Sequence, residues 1–144
     1  MLVENVKKIE QIWKNEGLDL ARPLSRIDIF NSFANFDILL SKDVIDIYST
    51  IGGMTDNESD SVLLSFWTVE KILAENEPKQ ELICFADFLI YSHLYGFKFE
   101  NEDTSSIHIY WGKNQIEKIA DSFDEFFENY IINPGKYYLF DREN

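Results

Sequence analysis

The sequence predicts a single α+β domain: a mostly antiparallel β-sheet flanked by N-terminal helices and a C-terminal helix. Three observations carry this. Apolar residues recur at helical spacing near both ends, as Leu2, Val6, Ile9, Ile12 and Trp13, and again as Phe123, Phe126, Phe127, Tyr130 and Ile131. Between residues 62 and 111 lie short apolar or alternating runs separated by turn residues. The helical and strand-like segments are grouped rather than alternating, which favours an antiparallel sheet over βαβ units. A length of 144 residues suits one domain.

The elements follow in chain order. Residues 3–16 read as an amphipathic helix, with Gly17 placed to end it. From Leu18 to Leu40 the pattern is poor: Pro23 breaks it, and Phe30, Phe33 and Phe36 fit either a short helix or a packed loop. Ser41 is in position to cap a helix whose inner face is Val44, Ile47, Tyr48 and Ile51, and Gly52-Gly53 stop it. TDNESDS (55–61) is a polar loop, VLLSFW (62–67) a short strand, and Thr68 the cap of a short helix through Val69, Ile72 and Leu73. ENEPKQ (75–80) is a turn.

Leu82–Phe85 and Phe88–Tyr91 read as two strands joined near Asp87, LYGFKF (94–99) as a third and IHIYW (107–111) as a fourth. Gly112-Lys113-Asn114 turns the chain into Ile116–Ala120. In the closing helix, Ser122 and Glu125 have capping-box spacing, and Asp124 and Glu125 lie in the first turn, where the helix dipole favours acids. Asn133-Pro134-Gly135 ends that helix, and YYLF (137–140) fits an edge strand or a packed tail.

The charge narrows the functional classes. The chain has 26 acids against 13 bases, a net charge of −13. Nucleic-acid affinity is dominated by phosphate contacts from Lys and Arg, so direct nucleic-acid binding is not expected. An acidic surface instead serves solubility alone or steers a basic partner. The 12 Phe, 7 Tyr and 3 Trp predict an aromatic core. One cysteine, Cys84, cannot form an internal disulfide, which fits a reducing compartment. The opening MLVENVKKIEQIW lacks the apolar run of a signal peptide, and no stretch reaches the roughly 18 apolar residues of a membrane span. The expectation is a cytoplasmic protein with no membrane insertion.

Chemical motifs are few. Asp56-x-Glu58-x-Asp60 alternates three carboxylates, but the sixth and twelfth positions of a calcium loop are Ser61 and Trp67 rather than Gly and Glu. A solvated acidic loop is the better reading, and no metal is expected. FADFLIYSHLYGF (85–97) holds Asp87, Ser92, His93 and Tyr95, the densest mixture of polar and aromatic groups. Adjacent Ser92 and His93 face opposite sides of a strand, which argues against a nucleophilic triad. His108 reads as a sheet-face residue and Cys84 as a buried, inert thiol. No catalytic residue and no cofactor are expected.

Several stretches together resemble the SUKH superfamily, the Smi/Knr-like regulators of cell-wall assembly and their bacterial relatives. LLSKDVIDIYSTIGGM (39–54) resembles the family's Leu-Pro-x-Asp, apolar-aromatic helix and Asn-Gly, with Leu40, Asp43, Tyr48 and Gly53 matching. SFWTVEKI (65–72) resembles the strand and short helix that follow. IADSFDEFFENYI (119–131) resembles the closing helix, with Ile119, Ala120, Ser122, Phe123 and Phe126 matching. Ser41 stands where Pro is usual, Gly52 where Asn is common, and the middle hairpin lacks the usual Gly-rich turn.

The resemblance implies helices packed on an antiparallel sheet and a non-enzymatic role. Bacterial members look like immunity proteins that bind and neutralise toxins, many of them nucleases, and fungal members are linked to regulation of glucan synthesis. The leading expectation is therefore an immunity protein that occludes a basic toxin domain. Its contacts are expected at Asp56, Glu58 and Asp60, at Glu100, Glu102 and Asp103, and at the hairpin residues Asp87, His93 and Tyr95. One alternative is a regulatory scaffold acting on cell-wall or glucan synthesis. Another is a small-ligand or enzymatic site in the 85–97 hairpin, which predicts a pocket lined by Asp87, His93 and Tyr95.

Overall fold

A computed structural model describes residues 2–55, 58–112 and 114–133. Among these residues five helices and five strands follow one another as α1 (Leu2–Asn15), α2 (Arg26–Ser32), α3 (Lys42–Tyr48), β1 (Leu64–Phe66), α4 (Val69–Glu75), β2 (Ile83–Phe88), β3 (His93–Phe99), β4 (Ser105–Gly112), β5 (Gln115–Ala120) and α5 (Phe123–Ile132). The strands form one sheet in the order β1-β2-β3-β4-β5, and each pairs antiparallel with the next. This is the expected α+β domain with N-terminal helices and a C-terminal helix. Among the described residues no helix is long and apolar enough to cross a membrane.

Local chemistry explains most element ends. Gly17 has φ +80° just after α1, the left-handed conformation that glycine adopts without a Cβ clash. The side chains of Ser25, Thr68 and Ser122 accept from the backbone N–H groups of Asp28, Lys71 and Glu125, capping α2, α4 and α5. In α5 the reciprocal half of the box is shifted: Glu125 Oε1 accepts from the Asp121 N–H rather than from that of Ser122. Ser41 occupies the cap position of α3 but makes no cap bond, because its hydroxyl is bonded to Asp43 and Ser105. Of the three spaced phenylalanines, Phe30 lies in α2 and is exposed, Phe33 is a buried C-cap and Phe36 follows it.

Gly52 and Gly53 do more than stop a helix. A Cβ on Gly52 would run into the carbonyls of Ala21 and Arg22, and Gly53, at φ +92°, faces the Trp67 carbonyl. Their bareness lets residues 20–22 and β1 close on either side, through Ala21 N–H to Gly53 O (2.8 Å) and Met54 N–H to Phe66 O (2.7 Å).

The core is aromatic, as the composition predicts. Phe85 of β2 packs edge-on against Phe66, Phe123 and Phe126, and Phe123 stacks on Phe127. Helices α1 and α5 run in the same direction over this face. Asn5 Nδ2 donates to Asp124 Oδ1 (2.7 Å) near their first turns, and Trp13 meets Tyr130 near their last. Beyond β1, Asn76 pairs with the free edge of β2: its amide donates to the Cys84 carbonyl and accepts from the Cys84 N–H. Cys84 is buried, and burial pushes its thiol up to about 11, so it is inert at neutral pH.

Two expectations for the middle of the chain need correction. Residues 83–88 form one strand, and Phe88 pairs with His93, so Leu89–Ser92 is the turn of a β2–β3 hairpin and Phe88–Tyr91 is not a strand. Asp87 therefore lies inside β2 rather than at a joint between strands. The expected stop at Pro134-Gly135 and the YYLF segment lie outside the described residues.

Candidate partner-binding surface

The sheet separates the expected contact residues into two ends. Seven residues of β3, roughly 20 Å of extended chain, lie between them. At one end is the β3–β4 turn with Glu100, Glu102 and Asp103; at the other, residues 58–64 and the β2–β3 turn meet.

The β3–β4 turn is braced from three sides. Asn101 Oδ1 accepts from the N–H groups of Asp103 and Thr104, each at 2.9 Å, an Asx turn built into the loop. The first turn of α3 docks on it, with the Lys42 N–H donating to Glu102 O (2.7 Å) and the Asp43 N–H to Asp103 O (3.2 Å). Behind it the buried Asp43 carboxylate accepts from the Ser105 N–H at 2.8 Å and from the hydroxyls of Ser41 and Ser105. Burial pushes the Asp43 carboxyl up, opposed by those hydrogen bonds. The Asp43 of the LSKD stretch thus ties helix to hairpin, while Glu100, Glu102 and Asp103 stand exposed on a fixed backbone.

At the other end, four expected contact residues turn inward. Asp60 is buried and accepts from Trp13 Nε1 (3.1 Å) and from the N–H groups of Val62 and Leu64. Asp87 is buried and accepts from Trp67 Nε1 (2.7 Å) and the Tyr91 N–H (3.3 Å). His93 is buried, stacked on Phe88 and hydrogen-bonded through Nε2 to the Tyr95 hydroxyl, and Tyr95 in turn packs on Phe126. As direct partner contacts these four are corrected: each carboxylate satisfies an indole, and the His-Tyr pair is core. The three side chains expected to line a pocket, Asp87, His93 and Tyr95, are instead buried against Trp67, Phe88 and Phe126. Glu58 is half-buried and accepts from the Asp19 N–H; Asp56 lies outside the described residues.

The hairpin is nonetheless exposed, through apolar residues outside the polar set Asp87, His93 and Tyr95. Leu63, Leu89, Ile90 and Tyr91 are 44%, 46%, 87% and 45% exposed, and the Leu89 N–H donates to Leu63 O at 3.0 Å. All four have positive φ, from 48° to 69°. Tyr91 is held from below: its hydroxyl donates to Glu75, and Lys71 Nζ sits 5.3 Å from its ring and 5.2 Å from that of Trp67. An apolar Leu-Ile-Tyr tripeptide carries no turn signal, so composition alone reads it as strand.

His108 behaves as expected of a sheet-face residue. It lies opposite Gly96 and Lys118, and its Nε2 bonds Ser106 Oγ at 2.9 Å. Burial, then the charges of Lys98 and Lys118, hold its pKa below the usual value. No protein-family model matches the chain, and no curated protein is a significant match to it.

Proposed function

We propose that this protein is a non-enzymatic binding module, an immunity protein that neutralises a basic, nuclease-type toxin by direct contact. The observation that carries the reading is the exposed acidic turn Glu100-x-Glu102-Asp103 held on a fixed backbone by α3. Rigid charges lose little entropy on binding, and a cluster of one sign speeds encounter with a surface of the other. A nuclease is basic around its substrate site. The ordered resemblance of residues 39–54, 65–72 and 119–131 to the SUKH superfamily supports the same reading.

The test is to mix the protein with the product of an adjacent toxin-like gene and to co-express the two. A complex at micromolar concentration, with rescue of the cells, is expected. Replacing Glu100, Glu102 and Asp103 together by Lys should slow association at least about tenfold. No complex and no rescue would sink the reading. An adjacent gene for envelope synthesis, with a complex to its product instead, would favour the cell-wall regulatory scaffold.

A further inference from the structure

Five described non-glycine residues have a positive φ, and four of them are Leu63, Leu89, Ile90 and Tyr91. These conformations disfavour side chains with a Cβ, and a β-branched residue such as Ile90 most of all. The same four hold large apolar side chains out of the core, Ile90 almost completely. Glycine or asparagine would relieve the backbone, and a polar residue would relieve the surface. Strain and apolar exposure coincide at one place, joined by the bond from Leu89 N–H to Leu63 O.

Their support is specific. The buried Asp87 carboxylate receives both the Tyr91 N–H and the Trp67 indole, and Tyr91 is latched to α4 through Glu75 and Lys71. The knob is thus presented on a set backbone, which lowers the ordering cost of binding. Its flank is acidic. Glu16 accepts from the N–H and hydroxyl of Ser61, two residues before Leu63, and Glu58 accepts from the Asp19 N–H beside it. With Asp19, Glu70 and Glu75 that makes five acids against two bases: Lys71, whose ammonium lies over the two rings, and Arg22, which lines the same groove as Tyr91.

We infer that Leu63, Leu89, Ile90 and Tyr91 form the anchor of a protein interface. The partner is a basic protein whose contact face has an apolar pocket rimmed by lysine or arginine. The inference rests on the binding-module reading but places the anchor at the end of the sheet opposite the acidic turn. Buried apolar anchors govern dissociation, whereas peripheral charges govern association.

The test uses the full chain with a photo-crosslinking phenylalanine analogue at Ile90 and, as control, at exposed Glu128. Crosslinking in the source cells should give an Ile90-specific product whose sequence is basic. That protein, purified, is then titrated against wild type, Ile90→Asp and Ile90→Gly. Both variants should dissociate at least about 100-fold faster with little change in association rate. Ile90→Gly should also melt about 3 °C higher, since glycine accepts the left-handed backbone. That pair of results separates lost contact from lost folding. No Ile90-specific product, an acidic partner, or unchanged dissociation of Ile90→Gly would overturn the inference. If only the lysine variants of the acidic turn weaken the complex, the proposed function stands and this anchor falls.

Discussion

Asp60 sits beneath an indole. Its Oδ2 accepts from Trp13, and its Oδ1 accepts from two backbone N–H groups of the loop that leads into β1. Burial, with a smaller contribution from the Glu16 charge, raises its carboxyl from 3.8 to about 6. The folded chain therefore holds this proton more tightly than the unfolded chain. The stability it contributes is full below pH about 4 and is lost as pH rises through about 6. By linkage this difference is worth about 3 kcal/mol. On acidification from neutral pH, wild type should gain stability relative to Asp60→Asn, whatever constant offset that variant carries. The carboxyl carbon resonance of Asp60 should titrate near pH 6, with the Trp13 indole proton following it. A midpoint below about 4.5 would show that the carboxylate is wetter than its packing implies.

At the scale of elements, α5 was readable almost residue by residue because its determinants are local. Ser122 caps Glu125 as their spacing predicts, and Phe123, Phe126, Phe127 and Tyr130 are the buried face. Phe123, packed on Phe85, Phe97 and Phe127, should lose about 3–5 kcal/mol on replacement by Ala. Glu128→Gln, on the exposed face, should leave the denaturation midpoint nearly unchanged, and a large loss there would mean the helix is packed differently. The β2–β3 hairpin was not readable in the same way. Its turn is defined by Phe88 pairing with His93, and Leu-Ile-Tyr looks like strand until that register is known. Asp60 and Asp87 read as surface residues for a related reason. Their indole partners lie 47 and 20 residues away, and an isolated Asp in a polar or mixed stretch gives no sign of either. Ser41 stands at a helix start as its residue type predicts, yet its hydroxyl serves Ser105, 64 residues on. The acidic turn was legible because Glu100, Glu102 and Asp103 need no distant partner to be exposed.

For the molecule as a whole, the net charge of −13 acts on folding and on binding with opposite signs. Thirteen bases cannot pair one-to-one with 26 acids, so uncompensated repulsion persists in the compact state. The ion pairs seen among the described residues join exposed bases to exposed or partly buried acids, and two of them, from Arg26 and Lys42, share Asp46. Such pairs contribute little each. Salt that screens them also screens the more numerous like-charge contacts. Raising the ionic strength from about 0.01 M to about 0.3 M should therefore raise the melting temperature of the free protein. The same change should slow association with a basic partner by about tenfold or more while leaving dissociation nearly constant. The two trends are measured by calorimetry and by stopped-flow mixing under matched buffers. A melting temperature that falls with salt would place the balance of charge in attractive pairs. An association rate indifferent to salt would remove charge steering from the account of how the partner is found, leaving the apolar anchor to act alone.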